Sequence, residues 1–528
     1  MKPRILFLIT LLCAAIAVLQ SVNAATITVI NTNDSDTGSL RQALADASNG
    51  DTINFSVTGT ITLTTGQLGV SSSVTISGPG TNQLTVQRST DLGTPDFRIF
   101  YISSGKTVTI SGLTIIYGQP SGSFPNDSGG GIYNDHATLT VGNCTLTGNS
   151  ATWGGGIYNF GENNGSAALT VSNSIVSGNS SGNSGGGIYN DGENHGSATL
   201  VISNSMLSSN SAAGTGAGGG IYNDGLFAGN AALTVNNSTL NSNSAPYGAG
   251  IYNTAFPAPP SDPGSVTVAI SNSTLSSNSA TTSGGGIYNS SESISPVTVT
   301  ISNSTLSGNS ASVSGGGIYN EAVDHVAIGP GSATLTISNS TLSSNSASTS
   351  GGGIYNHVLG GTARVTITNS TLSGNSASSF GGGIHNFGEI FGDATVTIGE
   401  TILNAGASGA NIDNFSGAVT SLGYNLSSDD ASAVLNATGD QNSTSPLLGP
   451  LQNNGGPTFT HLPLSNSPAI DAGDPNMLTD QRGPGFLRLV NNRIDIGAVE
   501  VQATPTPTPT PTATPHHTPP PHPTPRPH

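Results

Sequence analysis

The chain has 528 residues, of which only 7% are charged, and its formal net charge is -17. Binding of nucleic acid or an anionic membrane requires clustered Lys and Arg, and the sequence has no basic run, so both partner classes are excluded. Seventy-two glycines and alternating apolar residues exclude an ordinary helical enzyme and a disordered chain.

Residues 1-24 have the pattern of a secretory signal peptide. Lys2 and Arg4 precede an apolar stretch of 15 residues, and small residues stand before Ala25. An uncleaved membrane anchor is the alternative, but about 20 apolar residues are needed to span a bilayer. Cys13 follows Leu12 and not a small residue, which disfavours a lipoprotein site. The mature chain keeps Cys144 alone, so no intrachain disulfide can form.

Residues 25-60 are predicted to cap one end of a repetitive fold. Leu40, Ala43, Leu44 and Ala47 share one helical face, and Ser39 can cap the helix. A cap is needed because an open β edge would pair with other chains. Irregular strands from residue 51 to 117 would lead into the regular repeats.

One hexapeptide dominates residues 61-430 and is most regular over 129-390. Gly-Gly-Gly-Ile-Tyr-Asn or a close variant begins nine times, at residues 129, 154, 185, 218, 248, 284, 315, 351 and 381. A second phrase of the type Asn-Ser-Thr-Leu-Ser-Gly-Asn-Ser precedes eight of them. Such self-similarity predicts a solenoid in which each coil of about 30 residues is stable only against its neighbours.

The repeat predicts three short strands per coil. Apolar residues alternate with Ser and Thr, as in half-buried strands. In one coil Leu335, Ile337, Leu342 and Ile354 would point inward. Asn at one point per coil, as in Asn303, Asn339 and Asn369, is expected to form a structural amide ladder. Length varies after the hexapeptide, which places insertions such as residues 254-264 and 321-331 on one rim.

The tyrosines of the hexapeptide are the candidate binding platform. Because Ile and Tyr are consecutive, an inward Ile predicts an outward Tyr. We expect an exposed column in which aromatic faces could hold sugars or a partner protein. Self-stacking that stiffens the solenoid, or cover by the rim loops, is the other interpretation and the favoured one. The residues of this column are Tyr133, Tyr158, Tyr189, Tyr222, Tyr252, Tyr288, Tyr319 and Tyr355.

Residues 431-501 lose the repeat and are predicted to form a compact C-terminal module. This region contains Arg482, Arg488 and Arg493 together with Asp471, Asp474, Asp480 and Asp495. The mixed charges are expected to be salt bridges of a terminal cap, although they could hold a ligand carboxylate or a cation. Residues 502-528 are rich in Thr, Pro and His and predict an extended, disordered stalk. Its four histidines lack a folded frame for a metal.

Three motifs resemble bacterial secreted families. Gly38-Ser-Leu-Arg-Gln-Ala resembles the CSLREA region of right-handed parallel β-helix proteins, without its Cys. The Gly-Gly-Gly-Ile and Ser-Gly-Asn-Ser-Ala pattern resembles the repeats of polymorphic outer-membrane or adhesin-like proteins. Residues 467-473 (Ser-Pro-Ala-Ile-Asp-Ala-Gly) and 495-500 (Asp-Ile-Gly-Ala-Val-Glu) resemble the choice-of-anchor Q domain. The resemblance implies a parallel β-helix at the cell surface and assigns no activity.

A polysaccharide lyase or glycoside hydrolase of β-helix type is the alternative function. A lyase needs a basic residue near the abstracted proton and Ca²⁺-binding carboxylates, but no Lys or Arg stands between Lys106 and Arg364. An inverting hydrolase needs two facing carboxylates about 6.5-9.5 Å apart. The acids Asp135, Glu162, Asp191, Glu193, Asp224, Glu321 and Glu389 read as scattered along the variable rim.

The sequence therefore predicts an all-β, single right-handed parallel β-helix of pectate-lyase-like architecture with a short N-terminal helix. We expect it to be secreted or at the cell surface, and to be a structural or adhesin-like protein and not an enzyme. Extracellular glycans or cell-surface proteins are the expected partners, with no nucleic acid and no membrane span in the mature chain. No catalytic residue, metal ligand or cofactor is assigned; a weak Ca²⁺ site on the rim loops stays open.

Overall fold

A computed structural model describes residues 24-258, 262-324, 329-389, 391-474, 479-490 and 492-502. The predicted signal peptide and stalk therefore lie outside the described residues, apart from Ala24 and Gln502. Three parallel sheets extend through the described β-helix, a fourth is confined to residues 150–377, and together they enclose the main apolar core. The fold is the right-handed parallel β-helix predicted from the repeat, so the fold class is confirmed.

The first sheet, called the Thr sheet, has 14 strands among the described residues. Their bounds are Thr26–Val29, Thr52–Phe55, Thr75–Ser77, Thr107–Ser111, Thr138–Gly142, Ser166–Ser172, Ser197–Ser203, Asn230–Asn236, Ser265–Ser271, Pro296–Ser302, Ser332–Ser338, Thr362–Thr368, Asp393–Gly399 and Ala418–Gly423.

The second, called the hexapeptide sheet, has 12 strands in the described part of the chain. They are Leu68–Val70, Phe100–Ile102, Ile132–Asp135, Ile157–Phe160, Ile188–Asp191, Ile221–Gly225, Ile251–Ala255, Ile287–Glu292, Ile318–Val323, Ile354–Leu359, Ile384–Gly388 and Ile412–Phe415.

The third, called the flank sheet, has 13 described strands. They are Gly59–Leu63, Leu84–Arg88, Thr114–Ile116, Thr145–Thr147, Ile175–Ser177, Met206–Ser208, Thr239–Asn241, Thr274–Ser276, Thr305–Ser307, Thr341–Ser343, Thr371–Ser373, Ile402–Asn404 and Leu426–Ser427.

The fourth sheet is formed by short strands at the corner before the glycines. Its described strands are Ser150–Ala151, Ser180–Ser181, Ser211–Ala212, Ser244–Tyr247, Ser279–Ser283, Ser310–Ala311, Ser346–Ala347 and Ser376–Ala377.

Coils stack in register, so equivalent residues of successive repeats are hydrogen-bonded neighbours. Ile287 pairs with Ile318, for example, and Ile318 with Ile354. The four inward residues predicted for one coil, Leu335, Ile337, Leu342 and Ile354, are each 0% exposed. The inward residues of each strand thus form the core, and the parallel hydrogen-bond ladder continues this core from coil to coil.

Two buried amide ladders connect the coils, but the prediction named the wrong asparagines. One ladder uses the hexapeptide Asn; Asn320 donates to Asn356 at 2.9 Å. The other uses the second Asn of the repeat phrase; Asn309 donates to Asn345 at 2.9 Å. Asn303, Asn339 and Asn369 instead form the left-handed corner, with φ of 49°, 46° and 49°. Their backbone conformation, and not an amide ladder, explains Asn at this point.

The N-terminal end contains the predicted helix, α1, over Leu40–Asp46. The Ser39 side chain accepts a hydrogen bond from the Gln42 amide at 3.2 Å. Leu40, Ala43 and Leu44 pack into the core, so the helix covers the first coils. The part of the chain that the structure describes contains no helix with the length and apolarity to cross a membrane.

The C-terminal residues fold back along the flank sheet. After the antiparallel pair Leu448–Gln452 and Thr460–Pro463, the chain contacts coils far away in sequence. Gln481, fully buried, accepts from Thr341 at 2.6 Å, and Arg488 donates to Asn369 at 3.1 Å. Arg482 forms an ion pair with Asp480 at 2.5 Å. These polar contacts attach the segment to the side of the coils. The ion pair between Arg482 and Asp480 is one salt bridge of the kind predicted for the mixed charges.

Candidate functional site

The hexapeptide tyrosines form one continuous stacked column. Successive rings from Tyr101 to His385 have centroids 4.5–5.7 Å apart. In six of these nine steps the ring planes lie within 25° of parallel and the centroids are at most 5.4 Å apart. The in-register ladder dictates this arrangement, since Tyr288 pairs with Tyr319 and Tyr319 with Tyr355. Tyr101 belongs to the column although it lies before the first hexapeptide.

The prediction that this column is exposed is wrong for most of its length. Among the eight proposed platform residues, the exposed fraction is 1% for Tyr133, 3% for Tyr158 and 5% for Tyr189. Tyr288 and Tyr319 are each 9% exposed. The other three, Tyr222, Tyr252 and Tyr355, are half-buried. The rings are covered by their neighbours above and below and by side chains of the rim. The column therefore chiefly stabilises the fold.

A second outward column stands two residues after each tyrosine, because side chains two apart on a strand share a face. It contains Asp135, Asp191, Asp224 and Glu321. Each of these carboxylates accepts a hydrogen bond from a tyrosine hydroxyl of the preceding coil. The distances are 2.5 Å for Tyr101 to Asp135 and 2.6 Å for Tyr189 to Asp224, and Tyr158 and Tyr288 make the same contact with Asp191 and Glu321.

Four carboxylates meet beside Tyr158 and Tyr189 and are called the acidic cluster: Glu162, Asp191, Glu193 and Asp224. One carboxylate oxygen from each of the first three lies within 4.8 Å of the others. Asp224 pairs in register with Asp191. Asp191 and Asp224 are 1% and 0% exposed. Such an oxygen set is of the kind that a hard cation such as Ca²⁺ uses. A second trio, Asp471, Asp495 and Glu500, stands in the C-terminal segment.

Burial raises the pKa of three carboxyl groups of the acidic cluster, those of Asp191, Glu193 and Asp224. Loss of water around the carboxyl, followed by repulsion from Asp224, raises the pKa of Glu193 to about 8. Burial likewise raises the pKa of Asp224 to about 7, and that of Asp191 well above its usual range. Several carboxyls at this site therefore share protons over the neutral range.

The acidic cluster was not predicted, because its acids were interpreted as scattered along the rim. Their equivalent positions in the repeat could have indicated it, since Phe160-Gly-Glu162 and Asp191-Gly-Glu193 both follow Ile-Tyr-Asn directly. Strict register then stacks Glu162 near Glu193 and Asp191 on Asp224. Acids at equivalent positions of adjacent coils are spatial neighbours even when some thirty residues separate them.

An open pocket adjoins the cluster and is called the aromatic pocket. Phe124, Trp153, Tyr158, Glu162, Tyr189 and Glu193 line a volume of about 320 Å³. Trp153 meets Tyr189 edge-on at 5.8 Å, and Phe124, which is 44% exposed, meets Tyr158 at 6.0 Å. The pocket thus offers aromatic surface on one side and carboxyl groups on the other.

A second aromatic patch occupies the far end of the same face. Phe380, His385, Phe387, Asp413, Asn414 and Phe415 line about 310 Å³. Phe380 and Phe415 are 53% and 59% exposed, and His385 contacts Asp413 at 2.6 Å. Burial, partly opposed by Asp413, lowers the pKa of His385, so this ring is neutral at physiological pH.

Comparisons with known proteins give one family signal. The repeat model of the Chlamydia polymorphic membrane proteins matches residues 143–159, 272–290, 303–321 and 339–357, well under half of the chain. A crystal structure of the pectate lyase Pel9A is similar over 91% of this chain and 98% of its own, with 14% sequence identity and a TM-score of 0.38. No curated protein matches the sequence.

Proposed function

We propose that the chain is a secreted or cell-surface, adhesin-like β-helix protein that binds glycans without cleaving them. The aromatic pocket is the observation that carries this proposal. It replaces the tyrosine column as the candidate binding surface, because the column is largely covered while Trp153 and Phe124 border open space.

Surface location is supported by independent features of the chain. Four of its repeats match the repeat of Chlamydia polymorphic membrane proteins. The N-terminal residues have the composition of a secretory signal, and residues 467-473 and 495-500 resemble the choice-of-anchor Q domain found before varied surface anchors. A long, stacked β-helix suits this role because it holds a binding site at a fixed distance along a rigid body.

The pocket chemistry favours a neutral or amino sugar. Aromatic faces pack against the C–H face of a sugar ring, while Glu162 and Glu193 can accept hydrogen bonds from its hydroxyl or ammonium groups. None of the described residues lining the pocket is basic, so the pocket offers no cation to pair with the carboxylate of a uronate. We therefore expect amino sugars to bind more tightly than acidic ones.

Hydrolysis of a glycan is the second candidate function, favoured by one observation. The pKa of Glu193, raised to about 8, keeps a proton available near neutral pH, as a general acid requires. The carboxyl oxygens of Glu162, Asp191 and Glu193 lie within 4.8 Å, closer than the roughly 6.5–9.5 Å at which an inverting enzyme admits water. This separation is nearer to the roughly 5–5.5 Å between the two carboxyls of a retaining enzyme, so the spacing argues against the inverting mechanism alone.

Trp153 makes the experiment direct because it is the single Trp of the chain and lines the pocket. The purified full chain is screened on a glycan array, and hits are titrated by Trp fluorescence. For the parent chain we expect saturable shifts of the Trp fluorescence with neutral or amino sugars. Glu193→Gln should lose the shift with amino sugars. Trp153→Ala should lose binding to the array. Phe380→Ala, at the other end of the face, serves as the control and retains binding.

Two outcomes would contradict the proposal. Full array binding by Trp153→Ala would move the site away from the pocket. New reducing ends released from a bound glycan, and abolished by Glu193→Gln, would establish the hydrolase instead.

A further inference from the structure

The outward face of the Thr sheet is a regular array of small neutral side chains. In the six strands from Ser166–Ser172 to Ser332–Ser338, every second residue points outward, and the inward neighbours are the buried aliphatic and Ala residues of the core. Each strand therefore presents four outward positions, of which the middle two form the centre of the face.

Eight of the twelve residues in the two central columns are Thr, and the other four are Ala or Val. Equivalent residues pair in register from coil to coil without a shift. One column is Ala168, Thr199, Ala232, Thr267, Thr298 and Thr334, and the other is Thr170, Val201, Thr234, Ala269, Thr300 and Thr336. Every member carries a methyl group, and the Thr residues add a hydroxyl beside it. Thr267, Thr298 and Thr300 are exposed.

The array repeats in two dimensions. Neighbouring coils stand about 4.8 Å apart along the axis, and outward residues two apart on one strand are separated by about 6.6 Å across it. Thr is stiff at χ1, which restricts the orientations open to each methyl and hydroxyl. The backbone register therefore gives a regular array over six coils.

Charge is absent from this face although the chain has 11 basic and 28 acidic residues. None of the outward positions on the six strands is charged; the flanking columns are Ser, Asn and one Pro. The next two strands introduce Arg364 and Asp393, which pair with each other at 3.1 Å. The outward positions of these six strands are therefore uncharged in a protein of net charge -17, although Lys106 lies beside the first of them. The outward flank-sheet residues of the same coils are uncharged too, but each strand there offers two outward positions instead of four.

We propose that this face, the Thr face, binds the surface of ice. Ice is itself an uncharged two-dimensional lattice of hydrogen-bonding oxygens, with repeats of the size that the Thr columns offer. Hydroxyls can take the place of lattice waters while methyl groups fill the hollows between them. A charged group would instead hold liquid-like water and prevent contact. Because the array is already rigid, many weak contacts add without an ordering cost.

The substitution test uses one central residue and one matched control. Thr300→Tyr places a bulky ring in the middle of the Thr face, whereas Thr274→Tyr makes the same change on the flank sheet. Both positions are on strands where Tyr is well tolerated. The purified full chain and both variants are tested for incorporation into a slowly growing ice hemisphere and for thermal hysteresis, with circular dichroism to verify folding.

We expect the full chain and Thr274→Tyr to enter the ice and to give equal hysteresis, and Thr300→Tyr to lose at least half of it. Exclusion of the full chain from ice would overturn the proposal. Equal activity of the two variants would also overturn it, since another surface would then be responsible. Binding to crystalline cellulose without binding to ice would assign the Thr face to a polysaccharide surface.

Discussion

Tyrosine hydroxyls in the stacked column differ in what they contact. Tyr189 donates to the buried Asp224 at 2.6 Å. The hydroxyl of Tyr133 has no hydrogen-bond partner among the described residues, because Phe160 stands where the next coil has Asp191. The ring of Tyr133 instead lies under the guanidinium of Arg98, 4.6 Å from its centroid. One repeat position therefore has two different energetic roles.

Replacing Tyr by Phe separates these roles. Tyr189→Phe removes the donor to a buried carboxyl group and should lower the free energy of unfolding by about 1–3 kcal/mol. Tyr133→Phe removes an unsatisfied buried hydroxyl and should leave the stability unchanged or raise it. Denaturant unfolding of the two variants checks this, and equal losses in both would refute the assigned contacts.

Stability should depend on the pH through the acidic cluster. The folded-state pKa values of Glu193 and Asp224 are raised to about 8 and about 7, so the folded chain binds protons more tightly than the unfolded chain. Their contribution is complete below the unfolded values and is lost as the pH rises toward 8. We expect a loss on the order of 1–3 kcal/mol between pH 5 and pH 8.

Glu193→Gln tests whether Glu193 causes the dependence of the unfolding free energy on pH. Thermal unfolding between pH 5 and pH 8 should show a weaker pH dependence in this variant than in the parent chain. Asp46→Asn, on the exposed side of the N-terminal helix, should keep the parental slope. An unchanged slope in Glu193→Gln would show that other groups set the pH dependence.

Among the elements, the glycine corner limits what the repeat can tolerate. Gly285 packs against the next coil, where an added Cβ would lie 2.4 Å from the carbonyl oxygens of Gly316 and Ser310. Gly182 stands at a nearby corner, and its nearest atom would be 3.9 Å away. The triglycine is therefore required by close approach of backbone to backbone.

Gly285→Ala should cost about 1–3 kcal/mol because backbone atoms cannot move aside cheaply. Gly182→Ala should be neutral or stabilising by up to about 1 kcal/mol, through loss of freedom in the unfolded chain. Melting temperatures of the two variants give the comparison. A benign Gly285→Ala would mean that the coils are not packed as described.

Repeats and alternation were enough to predict the strands, the core and the N-terminal helix. Leu335 and Ile354 are buried as expected. The alternation of apolar and polar residues determines which side chains point inward, and the repeat length determines which residues of successive coils lie next to each other. Self-stacking or cover of the tyrosine column was foreseen as an interpretation, but the extent of burial at Tyr133 could not be predicted, since it depends on neighbours from other coils. The acidic cluster required the register between coils, and the fold-back of Gln481 onto Thr341 joins residues 140 apart without any repeat signal.

At the scale of the whole molecule, the backbone ladder of each described coil is formed with its neighbours in the stack, and the C-terminal segment adds contacts along the flank sheet. The coil that begins at Ile251 lies between the acidic cluster and that segment. Ile251 pairs with Ile287, so Gly250 can be joined to Ile287 with the register intact. Removal of residues 251–286 should leave a complete, shorter β-helix.

Small-angle X-ray scattering of this deletion, together with its thermal unfolding, tests the stacked-coil architecture most directly. We predict a folded, monodisperse chain that is shorter along its axis by about 4.8 Å and unfolds cooperatively. A matched deletion of residues 251–268, which removes only part of a coil, should not fold. An unfolded or aggregated full-coil deletion, or two deletions that behave alike, would contradict the account.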